Sequence, residues 1–190
     1  RQIDVYTSRR SLRGRSTLAA AVFPGLSEAF RSVVDGRLAL LLGHGPAGLR
    51  IRVHGDYHLG QVLDTGRDFA IIDFEGEPGR PLPERRIKRS PLVDVAGMLR
   101  SFSYAASGTL IQRAGGGSVR PEDVARLEPW ARAWTAWASA AFLAGYRATA
   151  GAAPMLPPDD EGWAALLDAF LLQKALYELD YELNNRPDWA

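Results

Sequence analysis

Apolar positions recur along the chain in patterns that predict several helices and one β-hairpin. In residues 24–41 the apolar side chains recur at helical spacing, and "GHGPAG" ends that helix because Gly and Pro interrupt the hydrogen-bond ladder. The stretch "LRIRVHG" alternates as a strand does, and "QVLDTGRDFAIIDFEGE" predicts two strands joined by a turn at residues 64–68. The chain is therefore expected to hold one small β unit among helices.

Beyond the hairpin the pattern predicts mainly helix. The segment "GEPGRPLPERRIKRSP" is too rich in Pro, Gly and charge for regular structure, whereas the residues after Pro91 have helical periodicity. A second helix is predicted to start near Pro129, after the connector "RAGGGS", and a third runs from Trp163. Asn184, Asn185 and Pro187 are predicted to end that third helix. The side chains expected to be buried in the first two helices are those of Leu92, Val95, Met98, Leu99, Phe102, Trp130, Trp134, Trp137 and Phe142.

Composition and charge narrow the function classes. The chain has 190 residues, of which 46% are hydrophobic, enough for one large domain or two small subdomains with a real core. A net charge of +1 gives no general attraction to nucleic acid or membranes and favours a small-molecule partner. The basic run "ERRIKRS" lacks interleaved aromatic residues and is interpreted as a solvated segment.

The residue inventory also bears on location. The absence of Cys excludes disulfides and thiolate metal sites and fits a cytoplasmic protein. No apolar run reaches the length of a membrane span, and the first residues do not form a signal peptide. Because the sequence does not begin with Met, we expect it to be a fragment of something longer.

The stretch "VHGDYHLGQVL" carries the strongest chemical signal. Phosphoryl transfer requires an Asp that accepts the proton of the substrate hydroxyl, an amide that holds a metal, and a second Asp that joins metal to phosphate. Kinase motifs place the amide five residues after the base, as Gln61 follows Asp56 here, and Asp73 comes after the hairpin. Asp56 is therefore the predicted base, and Gln61 and Asp73 are the predicted Mg²⁺ ligands, since Mg²⁺ prefers oxygen. The alternative is that both Asp residues merely occupy turns.

The two His residues of this stretch suggest a metal site less strongly. His54 and His58 have the i,i+4 spacing of a helical zinc pair, but Gly55 and the preceding strand argue against a helix. With 3 His and no Cys, the chain offers few zinc ligands. Both are predicted to support the catalytic loop by hydrogen bonds, with His58 grouped with the cofactor-binding residues. Asp94 is predicted to cap a helix or to brace the same loop.

Three longer segments resemble one kinase family. The segments "HGDYHLGQVL", "IIDFEGEPGRPLPERRIKRSPLVDVAGMLRSFSYAA" and "KALYELDYELNNRPDW" are similar to bacterial maltokinases, including the kinase region fused to some trehalose synthases. That family is a branch of the aminoglycoside-phosphotransferase-like kinases. The resemblance implies an α+β, mainly helical fold: the C-terminal lobe of a protein-kinase-like enzyme, with a small β-hairpin at the catalytic loop. It also implies ATP-dependent phosphorylation of maltose at its anomeric hydroxyl, which gives maltose 1-phosphate.

The resemblance divides the chain and suggests further binding residues. The resemblance begins near residue 51, and it implies that residues 51–80 are the catalytic loop and metal-binding hairpin and residues 81–190 a helical substrate-binding part. Residues 1–50 do not match the family and are predicted from their periodicity to be a helical lead-in. Glu75 is implied as an acid beside the metal or substrate. A sugar-binding face is implied on the last helix, because its residues at i, i+3, i+4 and i+7 share one side. They are Lys174, Tyr177, Glu178 and Tyr181, and the alternative is an ordinary face with a Lys174–Glu178 ion pair.

One part of the kinase pattern is missing. Kinases of this type use an N-terminal lobe that covers ATP and supplies a Lys to its phosphates. The two lysines of this chain, Lys88 and Lys174, both follow the catalytic loop, so neither matches that Lys. We therefore expect a lobe that binds ATP poorly by itself, with an N-terminal kinase lobe, and in fusion proteins a trehalose synthase, as its partner. Two alternatives to a maltokinase lobe remain. The chain could belong to another sugar or aminoglycoside kinase, or it could be a non-catalytic kinase-like binding module.

Overall fold

The computed structural model describes residues 48–185, which are mainly helical. Apart from residues 48–50, the predicted lead-in segment lies outside the described residues. Within them the fold is α+β, with one two-stranded sheet and three long helices. The elements are a 3₁₀ turn at Leu59–Gln61, strands β1 (Val62–Asp64) and β2 (Phe69–Ile71), and helices α1 (Leu82–Arg85), α2 (Leu92–Gly115), α3 (Pro121–Ala150) and α4 (Asp160–Asn185).

The predicted hairpin is confirmed. Strands β1 and β2 are antiparallel, with Val62 opposite Ile71. In the turn, the Gly66 N–H donates to the Asp64 carboxylate at 2.7 Å, and Gly66 has a φ of 78°, which glycine adopts without strain. The strand predicted in "LRIRVHG" is wrong, because Ile51 makes only an isolated bridge to Arg89 and no ladder continues from it.

The core lies where α2 packs against both α3 and α4. The side of α2 that periodicity predicted to be apolar is buried, with Leu92 fully enclosed and Phe102 packed against the cluster. From α4 the largest contribution is Trp163, near the start of that helix. No helix between residues 48 and 185 is both long enough and apolar enough to cross a membrane. The buried members of the core are Leu92, Val95, Ala96, Leu99, Leu156, Trp163, Leu166 and Leu167.

Helix α3 differs from its prediction in start and in orientation. It begins at Pro121 rather than near Pro129, because Pro suits the first helical position, where no N–H is needed, and two acids follow in the first turn. The predicted burial of its three Trp side chains is wrong, since Trp130, Trp134 and Trp137 are 74%, 45% and 72% exposed. The apolar stripe that reaches the core lies nearer the C-terminal end, where Phe142, Leu143 and Tyr146 are partly buried.

Two segments predicted to be irregular contain helix. The Pro-rich segment after the hairpin includes the single turn α1, which starts after Pro81. Helix α2 continues to Gly115, into the predicted connector "RAGGGS", and the connection begins at Gly116. Both differences extend the helical part of the fold. Residues 53–58, the predicted catalytic loop, have no regular secondary structure.

Candidate active site

The catalytic loop is fixed to the first turn of α2. The two oxygens of the Asp94 carboxylate accept the N–H of His54 at 2.7 Å and of Gly55 at 2.9 Å. Burial raises the pKa of Asp94, and these two backbone hydrogen bonds oppose that rise. Of the two roles predicted for Asp94, capping a helix or bracing the loop, these contacts fit the second. The loop is held in place immediately before Asp56.

The buried His54 ring connects the loop with the hairpin. Its Nε2 lies 2.8 Å from the Ile72 carbonyl oxygen, and its Nδ1 accepts the Asp56 N–H at 3.3 Å. Because a carbonyl only accepts and an N–H only donates, these two contacts fit the ring tautomer that carries its proton on Nε2. Ile72 directly precedes Asp73. One side chain therefore links the backbone of the predicted base to the backbone beside the predicted metal ligand.

Close contact between the loop and α2 depends on a glycine. A Cβ at Gly97 would lie 2.6 Å from the Tyr57 carbonyl oxygen, closer than real side chains approach. One turn further along α2, the Ser101 hydroxyl accepts the Leu59 N–H at 2.9 Å. Any larger side chain at residue 97 would push the loop away from the helix. Asp94, Gly97 and Ser101 therefore position the loop from one face of α2.

A second loop, residues 76–80, reaches the same place. Gly55 and Gly76 have φ values of 85° and 80°, and a Cβ at residue 55 would lie 3.3 Å from the Cα of residue 76. The Arg85 guanidinium donates to two carbonyl oxygens of this loop, each at 2.7 Å. The approach of the two backbones brings Glu77 beside the catalytic loop.

Asp56 lies in a crowded and poorly hydrated position. Its side chain is 15% exposed, with the Lys174 Nζ 3.7 Å from Oδ1 and the His58 Nε2 3.8 Å from Oδ2. Burial is the largest cause that raises the pKa of Asp56, and Glu77 raises it further by charge repulsion and a hydrogen bond. Lys174 and His58 act in the opposite direction. The carboxylate is thus a stronger base than a free Asp, which suits a proton acceptor.

Glu77 is a site residue that the sequence did not reveal. Its side chain is 15% exposed, accepts the Tyr177 O–H at 2.9 Å and lies 3.4 Å from the Lys174 Nζ. Burial and the hydrogen bond to Glu77 raise the pKa of Tyr177 to about 12. The predicted acid, Glu75, is exposed, because the chain turns at Gly76 between the two acids. Both acids stand in "DFEGEP", and nothing local distinguishes them.

The predicted metal ligands lie side by side. The Gln61 amide donates to Asp73 Oδ2 at 2.9 Å, and the Ile72 N–H donates to the Gln61 carbonyl at 3.0 Å. Asp73 has a φ of 62°, a left-handed conformation that costs a non-glycine residue about 1–3 kcal/mol and occurs often at functional sites. His58 caps the 3₁₀ turn that contains Gln61, because its Nδ1 accepts the Gly60 N–H.

An amide and a carboxylate fit Mg²⁺ by their chemistry. Mg²⁺ takes oxygen ligands and is commonly held by one or two carboxylates together with water and substrate phosphates. Among residues 48–185, no three His, Cys, Asp or Glu side chains gather as a metal site. An ion held by Gln61 and Asp73 would therefore depend on phosphate and water oxygens for its remaining ligands.

The four residues predicted to bind sugar divide into two environments. Lys174 and Tyr177 join Glu77 beside the catalytic loop, as described above. Glu178 instead pairs with Arg100 of α2, whose Nη2 lies 2.7 Å from Oε2, and Tyr181 is 46% exposed. The alternative of a Lys174–Glu178 pair is not favoured, because each of the two has a different charged partner.

Comparison with known proteins points to sugar kinases. No protein-family model matches the chain. A glucosamine kinase of Streptacidiphilus jiangxiensis is 31% identical over 140 residues, 74% of this chain, and one of Mycolicibacterium smegmatis is 30% identical over 178 residues, 92% of this chain. A solved glucosamine kinase in complex with glucosamine, ADP and inorganic phosphate superposes with a TM-score of 0.72 at 26% identity, covering 98% of this chain.

The matches cover only part of the relatives. The chain spans 29% and 40% of the length of the two curated relatives and 45% of the solved structure. The kinase part of the resemblance is thus supported, but these relatives are glucosamine kinases rather than maltokinases. The chain is similar, in sequence and in structure, to a part of sugar-phosphorylating enzymes.

Proposed function

We propose that this chain forms the acceptor and metal side of a kinase that transfers the γ-phosphoryl group of ATP to a sugar hydroxyl. The observation that carries the proposal is the fixed relation between Asp56 and the Gln61–Asp73 pair. The His54 ring bonds to the backbone of Asp56 and to the carbonyl that precedes Asp73, so it connects the predicted base with the predicted pair of metal ligands. The likeness to glucosamine kinases supports this reaction class.

In the proposed reaction the acceptor hydroxyl donates its hydrogen bond to Asp56. As the acceptor oxygen bonds to the γ-phosphorus, the bond from that phosphorus to the ADP oxygen breaks and the hydroxyl proton passes to the Asp56 carboxylate. The raised pKa of Asp56 favours this transfer. Gln61 and Asp73 would hold Mg²⁺, which supplies positive charge to the phosphate oxygens when bound.

Glucosamine is the acceptor that we propose first. Two curated relatives and the solved structures carry the name glucosamine kinase, and one of those structures holds glucosamine and ADP. Maltose is the second candidate, because the "DFEGEP" and "YELNNRP" segments resemble maltokinases. In either case the acceptor would lie beside Asp56, Glu77, Lys174 and Tyr177, which line one depression.

The nucleotide is proposed to need a further lobe. Four apolar side chains of the hairpin region are 45–69% exposed within the described residues, which is unusual for adjoining residues of a small sheet. The relatives are more than twice as long as the matched region. We propose that an N-terminal kinase lobe covers this surface and supplies most contacts to ATP. The exposed side chains are Leu63, Phe69, Ile71 and Phe74.

The proposal is tested by assaying the full-length protein with ATP, Mg²⁺ and a panel of glucosamine, N-acetylglucosamine, glucose and maltose. Phosphorus NMR of the products identifies both the reaction and the phosphorylated position. We expect a sugar phosphate, with a higher kcat/KM for glucosamine than for maltose. A preference for maltose would favour the second candidate, and failure to phosphorylate any sugar would overturn the kinase proposal and favour a binding module.

A further inference from the structure

We propose that Asp56, Glu77 and Lys174 act as one proton-handling unit. In this unit the nearby Glu77 carboxylate makes Asp56 a stronger proton acceptor, and the Lys174 ammonium lies between the two carboxylates, holds them together and limits that effect. The inference rests on the proposed function and deepens it, because it gives roles to two residues outside the kinase motif. Glu77 and Lys174 are positioning residues in this account.

One cation serves two carboxylates in the structure. The Lys174 Nζ lies 3.7 Å from Asp56 Oδ1 and 3.4 Å from Glu77 Oε2. Both distances are within ion-pair range but longer than a good hydrogen bond, so the ammonium lies between the acids without binding tightly to either. The two carboxylate side chains are 15% exposed, so water screens their mutual repulsion poorly. Repulsion between the two carboxylates favours proton binding at Asp56, whereas the single Lys174 cation opposes it and offsets only part of their combined charge.

Helix α4 fixes the orientation of Glu77. Tyr177 donates its O–H to Glu77 Oε1, the oxygen other than the one nearest Lys174. The Lys174 ammonium also lies 5.1 Å from the centre of the Tyr177 ring, a cation–π contact. One turn further along α4, Glu178 is bound to Arg100, which ties this part of the helix to α2. Glu77 is therefore held with one oxygen engaged and the other beside the shared cation.

The charged surroundings of Asp56 come from four elements. Burial and Glu77 raise the pKa of Asp56, whereas Lys174 and His58 lower it. Asp94 of α2 faces the same loop, but its oxygens are engaged by backbone N–H groups at residues 54 and 55. The titratable groups around the predicted base are Glu77 from the 76–80 loop, Lys174 and Tyr177 from α4, His58 from the catalytic loop, and Asp94 from the first turn of α2.

The proton has a complete path in this scheme. The acceptor O–H bond breaks as the acceptor O–P bond forms and the bond from the γ-phosphorus to ADP breaks. The proton moves to the Asp56 carboxylate and leaves to solvent when the products depart. No reactant beyond ATP and the acceptor is consumed, so atoms and charge balance.

The test compares the pH dependence of kcat/KM for two charge-removing variants of the full-length protein. Glu77→Gln removes the charge repulsion between Glu77 and Asp56, so the acid limb of the kcat/KM profile should move to lower pH. Lys174→Met removes the attraction of the ammonium for the Asp56 carboxylate, so the same limb should move to higher pH. Lys174→Arg keeps the positive charge and should return the limb towards its original position. The exposed substitutions Glu122→Gln and Lys88→Met make the same charge changes away from the site and should leave the limb in place.

A second readout separates this inference from the proposed reaction. Titration of the Asp56 carboxyl by ¹³C NMR, assigned with Asp56→Asn, needs no turnover. If the Asp56 titration shifts in opposite directions in the two variants but no sugar is phosphorylated, the proposed unit stands and the proposed function is overturned. The proposed unit would be overturned if the sugar is phosphorylated but the acid limbs and the Asp56 titrations of the two variants do not move, or move in the same direction. If Lys174→Met does not fold, the direction of the Glu77→Gln shift decides the question alone.

Discussion

The helical part of the molecule and the catalytic loop with its hairpin are stabilised in different ways. In the helices the large apolar side chains are enclosed, and Leu92 has no exposed surface. In residues 51–80 the apolar side chains are largely exposed, with Phe69 at 69%, while buried polar groups such as His54 make the connections. Apolar burial therefore holds the helices together, whereas directional hydrogen bonds position the candidate site residues.

Helix α2 joins the two regions. Its first turns present Leu92 and Val95 to the core, and its other side presents Asp94, Gly97 and Ser101 to the catalytic loop. The catalytic loop is therefore positioned by α2, and the opposite face of α2 is packed in the core. Substitutions in α2 can consequently separate loss of stability from loss of loop position.

Truncation of the core should have the largest effect on stability. Leu92→Ala should lower the free energy of unfolding by about 2–5 kcal/mol, because it leaves a cavity at a fully buried position. Trp137→Ser removes a larger apolar side chain that is 72% exposed, and should change stability by no more than about 0.5 kcal/mol. Urea unfolding measures both. Similar losses in the two variants would contradict the placement of the core.

Loss of the loop brace should have an intermediate effect. Asp94→Asn replaces one of two carboxylate oxygens that accept backbone N–H groups, which leaves one buried donor unpaired at a cost of about 1–3 kcal/mol. We expect kcat to fall as well, because the loop that carries Asp56 loses its attachment. The same change at Asp123, a partly buried position on α3 that pairs with Arg120 and lies outside the candidate site, should leave kcat unchanged. An Asp94→Asn protein with full kcat would show that the brace does not position the site.

The predicted base should itself reduce stability at neutral pH. Because the folded state raises the pKa of Asp56, the unfolded chain loses this proton at lower pH than the native protein. Native stability therefore falls as pH rises above the ordinary Asp range, and the loss is complete above the native pKa. Asp56→Asn should be more stable than the parent at neutral pH, and this advantage should vanish on acidification. An advantage that instead grows towards acid pH would contradict the sign of the shift.

Local patterns predicted much of the fold. The hairpin followed from turn residues and alternation, and the buried side of α2 followed from 3.6-residue periodicity, because both signals lie within one element. The exposure of Trp130 and Trp137 did not follow, since hydrophobicity alone does not say which stripe of a long helix meets its neighbours. The start of α3 at Pro121 does not follow from the pattern either, because Pro129 predicts a helix start and the structure places it inside the helix.

The candidate site was predictable only where its parts are close in sequence. The spacing from Asp56 to Gln61 and the hairpin that leads to Asp73 are local, and the structure brings Gln61 and Asp73 into contact. Glu77 could not be distinguished from Glu75, because its role depends on the turn at Gly76 and on Tyr177, 100 residues further along the chain. Such contacts arise from the packing of α4, which no local pattern encodes.

The most direct test of the central claim is the steady-state kinetics of Asp56→Asn in the full-length protein, with the sugar that the panel identifies. If Asp56 is the base, kcat should fall by about 10²–10⁴-fold, because the variant cannot take the hydroxyl proton. KM for the sugar should change little, and the circular dichroism spectrum should match that of the parent. A variant that retains parental kcat would contradict the assignment of this loop as the site of phosphoryl transfer.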